Sequence, residues 1–301
     1  MLNTTNERLV LIDAYAQIYR CFFAVRAGLT NPQGIPTNAL YGIARLLLQL
    51  HRTLPSRYGA VAFDKGKCTR RITLCPEYKA QRPPMPDTMR PQIEPIRQWM
   101  RAFGWTLLEQ EGMEADDLIA AITRRHGECE VAIVTHDKDI MQLTADPKVF
   151  IAQPDKDQWT LLGAPEVTRK FGVPPEQLRD YLALLGDSSD NIPGVPGVGA
   201  KTAAKLLQEA GSIEGILAQA ESITSAKVAA TLKSSAELLA RNRQLIALGN
   251  EPPDGFTSPA DLPRQEPDWA MLLKMAEEQG FKSLMPALHK EADNAAQPSL
   301  F

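Results

Sequence analysis

Aspartates fall at three places where an apolar run ends. Asp13 follows Leu9–Ile12, Asp64 follows Ala60–Phe63, and Asp137 follows the run that begins at Val131. Glu114, Asp116 and Asp117 cluster at the start of an amphipathic stretch, and Asp139 lies two residues beyond Asp137. Runs of this length read as buried strands, and in an open parallel sheet the carboxyl ends of strands line the ligand crevice. Acids far apart in sequence are therefore expected to converge on one edge. Glu114 and Asp117, three apart, are expected to share a helical face, and Asp137 and Asp139 to point the same way from an extended segment. Converging carboxylates repel one another unless cations neutralise them, and hard oxygen donors suit Mg²⁺ or Mn²⁺. Two such ions about 3.5–4 Å apart can activate water and stabilise the leaving oxygen of a phosphodiester, so hydrolysis needs no protein nucleophile. Any one of these acids could instead cap a helix or a loop; the set together points to metal.

A second constellation runs from Gly186 to Thr202. Four glycines and two prolines interrupt the stretch before a new helix opens at Gly199. Such a turn exposes backbone amides, here at Gly197, Val198 and Gly199. With Thr202, Lys201 and Lys205 at the helix start they offer a sequence-independent seat for a DNA phosphate. Asp187 and Asp190, at the head of the turn, could reach back to the acidic crevice. A third feature is basic: from Lys65 to Arg101 there are nine Lys/Arg against three acids, although the whole chain carries a net charge of −3. Lys65, Lys67, Arg70 and Arg71 lead that run and are candidates for phosphate contact.

The elements that must position these residues are legible. Strands are expected at Leu9–Ile12, Ala60–Phe63, Trp105–Leu108 and Val131–Thr135, with helices at Asn38–Leu50 and Ala115–Arg125 between them, giving an α/β parallel-sheet core. From Ala164 helices dominate: Ala164–Phe171, Pro175–Leu185, Gly199–Ala210, Ser212–Gln219 and Ser225–Ile246. Residues 1–163 are thus expected to form the core and 164–250 a helical region. Residues 251–290 are expected to hold a proline-rich connector and C-terminal helices, one of them Trp269–Glu278, and 291–301 a polar tail. With 301 residues, 44% of them hydrophobic, the chain can bury a full core. Cys21, Cys68, Cys75 and Cys129 have no metal or disulfide spacing, and no run suits a signal peptide or a membrane span, so a cytoplasmic protein is expected.

The motifs LIDAYAQIYRCFF, GIPTNALYG, AVAFDKG, PEYKAQR, EGMEADDLIA, VTHDKDIMQL and GDSSDNIPGVPGVGAKTA occur in one order from about Leu9 to Leu288. In that order they resemble the 5′-nuclease or flap-endonuclease superfamily, most closely the 5′–3′ exonuclease domain of bacterial DNA polymerase I. The resemblance implies a PIN-like nuclease core with a basic helical arch over the crevice at about 65–101, followed by a helix–three-turn–helix that grips duplex DNA and can hold K⁺ on its carbonyls. It implies one metal site from Asp13, Asp64, Glu114 and Asp116, with Asp117 nearby, and a second from Asp137, Asp139 and Asp190, with Asp187 nearby. Tyr78, Lys79 and Arg82 match the arch residues that stack on bases and steer phosphates. The activity implied is 5′–3′ exonuclease and 5′-flap endonuclease on nicked or branched DNA, in primer removal and repair, at the bacterial nucleoid.

The chain departs from the pattern at Ala14-Tyr15, where Gly-Asn is common, and at Thr135-His136, where Thr-Gly or Ser-Gly precedes the acid. Neither change removes a ligand. No polymerase region follows, and Gln297, Leu300 and Phe301 resemble a sliding-clamp-binding peptide, which favours a stand-alone nuclease. The alternatives fit less. An aspartyl phosphatase wants an acid where Tyr15 stands, a phosphorylated receiver leaves the helical half unexplained, and a PIN-class ribonuclease does not need the glycine turn. A structure-selective DNA-binding module with inactive metal sites differs from the nuclease only in activity.

Overall fold

The computed structural model describes residues 7–25, 28–156 and 158–296. Its centre is a six-stranded sheet of β1 (Arg8–Asp13), β2 (Tyr58–Ala62), β3 (Thr106–Leu108), β4 (Glu130–Val134), β5 (Val149–Asp155) and β6 (Gln158–Leu162), in the order β3-β2-β1-β4-β5-β6. All neighbours are parallel except β5 and β6, which form an antiparallel hairpin. The four expected strands are present; β5 and β6 are additional. The strand order reverses beside β1, so the crevice opens at the carboxyl ends of β1 and β4, where Asp13 and the loop bearing Asp137 lie.

Because both faces are covered, the central strands are apolar throughout, with alternate residues serving different cores. Leu9, Leu11, Val131 and Ile133 pack with Leu118 and Ile119 of helix Ala115–Thr123. Val10, Ile12, Val61 and Val134 pack with Leu40, Ile43 and Leu47 of helix Asn38–Thr53 and with Trp99 of helix Ile93–Ala102.

The first of these cores continues into the helical region through Leu182, Leu207, Leu232 and Leu245. No break in packing therefore falls at residue 163. The stretch expected as one helix from Ser225 to Ile246 is two, Ala226–Ser234 and Ala236–Ile246, divided at the buried Ser235. The connector returns to the sheet: Gly59 N–H donates to Leu262 O at 2.9 Å and Arg264 N–H to Arg57 O at 2.9 Å. It delivers helix Trp269–Glu278 to the second core, where Trp269 meets Phe103 edge-on at 6.0 Å. A further C-terminal helix, Met285–Ala296, buries Leu288 against the same core and runs into the expected tail as far as Ala296. Among the described residues, no helix is long and apolar enough to cross a membrane.

Candidate active site

Asp13 ends β1 and caps the following helix, accepting the Ala16 N–H at 3.2 Å, while Thr135 Oγ1 donates to its other oxygen at 3.0 Å. Burial, then the charges of Asp137 and Asp64, push its carboxyl up to about 7. Asp64 accepts the Ala115 N–H at 2.7 Å, which ties the end of β2 to the start of helix Ala115–Thr123. Glu114 precedes that helix with extended backbone, and its buried carboxylate takes Lys79 Nζ at 2.6 Å and the Tyr78 hydroxyl at 3.2 Å. Burial raises its pKa, but Lys79 and Arg71 outweigh burial and hold it below the usual range. Asp116 is shifted the other way, well up, by burial that its ion pair with Arg71 does not offset.

These acids line one cleft of about 380 Å³ together with Asp137, Tyr15, Tyr19, Lys79 and Arg82. A second cleft adjoins it, sharing Ala16, Arg82 and Asp137, and is lined by Asp139, Asp187, Asp190, His136, Lys138 and Lys170. The sequence expectation of two acidic groups is thus matched by two contiguous hollows, with Asp137 common to both. Asp139 is not on extended backbone. The Asp139 N–H donates to Asp137 Oδ1 at 2.9 Å in a tight turn, and Asp139 itself is helical in φ and ψ.

Asp187 and Asp190 are carried by a two-residue antiparallel ladder, Gly186–Asp187 against Ile192–Pro193. Gly186 has φ +71°, and a Cβ there would lie 2.3 Å from Gly194 N and Ile192 O, so only glycine closes this turn. Ligand oxygens of Asp139, Asp187 and Asp190 approach one another within 4.8 Å. Asp139 Oδ1 is buried with no hydrogen-bond partner among the described residues. Burial, then Asp137, Asp190 and Asp187, push its carboxyl up to about 8. Arg82 and Lys138 pair with Asp190 and Asp187, but Asp139 Oδ1 has no such partner among the described residues, and a divalent cation fits that oxygen and the carboxylates clustered around it.

Cys68, Glu114 and Asp117 also come within 4.8 Å of each other. They do not offer a cation site, because Arg71 Nη1 donates to all three. Asp117, expected near the first metal, faces away from the cleft. It accepts from Arg71 at 2.8 and 3.0 Å, from Arg70 at 3.4 Å and from the Gly249 N–H at 2.6 Å. The placement of Arg71 is a correction too: it is 2% exposed and also donates to the carbonyls of Leu245 and Ala247, so it cannot touch DNA. Arg70, expected to meet phosphate, donates to the carbonyls of Gln244 and Ala247 at 2.7 and 2.6 Å. The basic stretch expected as an arch at about 65–101 holds α-helix at Thr69–Leu74 and Ile93–Ala102, and the turn after the first folds onto the acids. There the Lys79 N–H donates to Asp190 O at 3.0 Å and Arg82 Nη2 pairs with Asp190 at 2.5 Å.

Two family profiles match with this geometry in register. One, described as "5′-3′ exonuclease, N-terminal resolvase-like domain", covers residues 8–172, and the other, "5′-3′ exonuclease, C-terminal SAM fold", covers 173–270. The chain belongs to the 5′-3′ exonuclease family. It is 36% identical to a 5′-3′ exonuclease of Aquifex aeolicus over 98% of this chain and 100% of that one. It is 35% identical to DNA polymerase I of Bacillus caldotenax over 97% of this chain but 33% of that protein. Among solved structures, zinc-bound T5 5′-exonuclease superposes with TM-score 0.62 at 24% identity, covering 95% of this chain and 98% of that one. The catalytic core of Rad2 in complex with DNA substrate gives 0.64 at 17%, covering 95% and 94%. Those identities establish the shared fold.

In this exonuclease the glycine turn stands in the helical half with Gly197, Gly199 and Lys201 exposed and Thr202 half-buried. Val198 is buried, and its N–H already donates to Val195 O at 3.0 Å, so that amide is withdrawn from the proposed phosphate seat. Lys205 is exposed and pairs loosely with Glu209 at 3.7 Å. Lys65 is exposed and faces Glu109 at 3.4 Å, and Lys67 is exposed. Lys138, which pairs with Asp187 at 3.1 Å, was not singled out from sequence, although its place between Asp137 and Asp139 is a signal. Gln297, Leu300 and Phe301 lie outside the described residues.

Proposed function

We propose that this exonuclease cuts DNA at 5′ ends and at the base of 5′ flaps, using two Mg²⁺ or Mn²⁺ ions. The observation that carries the reading is the pair of contiguous acidic hollows joined at Asp137 and crossed by Lys79 and Arg82. Asp13, Asp64, Glu114 and Asp116 would hold one ion, and Asp137, Asp139 and Asp190, backed by Asp187, the other. Bound there, divalent cations supply an activated water and charge stabilisation at both the attacking and leaving oxygens. Relatives support this: a T5 flap endonuclease variant is described in a pseudo-enzyme-product complex with DNA and metal ions.

The chain's own residues do the rest. Lys79 and Arg82 are paired with Glu114 and Asp190 in this structure, and with that negative charge taken up by cations both side chains would be free to face the scissile phosphate. Gly197, Gly199, Lys201, Thr202 and Lys205 hold the duplex by its backbone, and Lys65 and Lys67 attract it at the cleft mouth. K⁺ on the turn's carbonyls belongs to the same proposal. Those of Pro193 and Val195 already accept from Asn242 and Val198, so the remaining carbonyls must carry most of that ion. Gln297–Phe301 is proposed to dock on a sliding clamp; clamp capture unchanged on deleting it would refute that.

The test is cleavage of a 5′-labelled flap duplex, beside a matched RNA duplex, with Mg²⁺ or with chelator. Metal-dependent cutting near the DNA junction is expected. Tight binding without cutting under any divalent ion would leave a DNA-binding module as the better account.

A further inference from the structure

The resemblance assigns Tyr78 to base stacking, but its ring is enclosed. The residue is 7% exposed, with the Arg71 guanidinium 5.9 Å and the Lys79 ammonium 4.9 Å from its centroid. No base can reach a face so covered. Its hydroxyl, in contrast, lies where two acidic groups meet: 3.2 Å from Glu114 Oε2, in the first group, and 3.0 Å from Asp190 Oδ2, in the second.

The geometry points to Tyr78 as a positioning residue whose single hydroxyl spans the two metal-holding groups and sets the distance between them. This rests on the two-ion reading above. A phenol has one proton to donate, and each carboxylate has about four lone-pair directions, so the hydroxyl can hold either carboxylate while other lone pairs face cations. Arg71 donates to the same oxygen of Glu114, Oε2, while Lys79 holds Oε1, and Arg71 is itself anchored by the carbonyls of Leu245 and Ala247 at the end of helix Ala236–Ile246. On the other side, the Lys79 N–H holds the Asp190 carbonyl at 3.0 Å, an arrangement for which Lys79 adopts φ +56°. A non-glycine residue in that region is strained and persists only where surrounding contacts enforce it. Glu114 and Asp190 come from opposite halves of the chain, and among the described residues Tyr78 and Lys79 are the side chains that touch both carboxylates. Of these Lys79 is half-buried and charged, suited to leave for the phosphate, whereas Tyr78 is buried and stays.

The experiment compares wild type with Tyr78→Phe and Tyr78→Ala. It reads the single-turnover rate on flap DNA across a Mg²⁺ series, the flap Kd, and Mn²⁺ binding to the DNA-free protein by calorimetry. The Phe variant keeps the ring and its packing. Flap affinity within about twofold of wild type is expected, with a rate or metal affinity lower by about 10–100-fold, the usual effect of removing a partner behind a ligand. The rate loss should shrink at high Mg²⁺. If the Phe variant matches wild type in rate and in Mn²⁺ binding while the Ala variant is impaired, the ring and not the hydroxyl matters, and the inference is overturned. If both variants match wild type, it is overturned as well. Should wild type itself fail to cut DNA, the nuclease reading falls, and the Mn²⁺ titrations of wild type and Phe variant still decide the role of the hydroxyl.

Discussion

The ammonium of Lys79 lies 2.6 Å from Oε1 of Glu114 and 3.8 Å from Oδ2 of Asp190, so one cation bridges the two acidic groups. A charge held there is placed to follow the negative charge that develops on a phosphate during cleavage. Lys79→Ala should lower the single-turnover rate by about 10²–10³-fold, as for other groups that stabilise a transition-state charge, with a much smaller change in flap Kd. Rapid-quench kinetics at saturating enzyme separate the two. A loss confined to affinity would make Lys79 a binding residue only.

Arg71 is the most consequential residue outside the clefts. Its guanidinium pairs with Glu114, Asp116 and Asp117 at once while 2% exposed. Removing one member of a buried ion network costs about 3–5 kcal/mol, so Arg71→Met should lower stability by that order in denaturant melts. Arg70, whose side chain is 41% exposed, should cost less than about 1 kcal/mol through its pair with Asp117. Equal effects of the two changes would contradict the burial of one and the exposure of the other.

That contrast shows where sequence reading stops. Arg70 and Arg71 are adjacent in a basic run, and charge alone reads both as phosphate contacts. What separates them is helix phase: Cys68, Arg71 and Cys75 fall on the buried face of Thr69–Leu74 and its flanks, and Arg70 does not. Strands β1, β2 and β4 are legible because each is a short apolar run buried on two sides, and β3 is a shorter, half-buried apolar edge. The β5–β6 hairpin is not legible, since Pro154 and Asp155 interrupt one strand and the other is a half-exposed edge. The bounds of the last helix are hidden by a polar composition, with Leu288 its one fully buried side chain among those described. Asp187 and Asp190 line the second cleft on a glycine turn whose residues are plain in the sequence, whereas the turn of Asp117 toward Arg71 is not legible because charge alone reads Arg71 as a surface residue.

Acidity should register in stability. Asp13 is pushed up to about 7 and Asp139 to about 8, against an ordinary carboxyl near 3.8. Their folded pKa values exceed the unfolded ones, so between about pH 4 and 8 the folded state binds more protons. Stability of the metal-free protein must therefore fall as pH rises through that window and level off above it. Denaturant melts in chelator should show a loss of the order of 1–3 kcal/mol between pH 6 and 8.5, largely removed by Mg²⁺, which takes the protons' place. Stability rising with pH in chelator would contradict the crowding of these acids.

Lys201 and Lys205 sit on one face at the start of helix Ala200–Ala210, away from both clefts. Each replaced by Ala should weaken duplex binding at all sequences and reduce the salt slope of log K by about 1, with the rate at saturating enzyme unchanged. Titrations across a salt series check this. An unchanged slope would remove the glycine turn from the DNA contact surface.

The central claim is that clustered acids, through the metal they hold, perform hydrolysis while other residues bind DNA. Asp64 tests it most directly, because its carboxylate lines the first cleft and its structural contact is a single hydrogen bond from Ala115. Asp64→Asn retains an oxygen that can accept that bond but loses the charge. Cleavage of a 5′-flap duplex in Mg²⁺ should fall by two orders of magnitude or more, by the scale set for lost electrostatic stabilisation, while flap binding stays within a few-fold of wild type. Turnover equal to wild type would contradict the metal-site assignment at its centre.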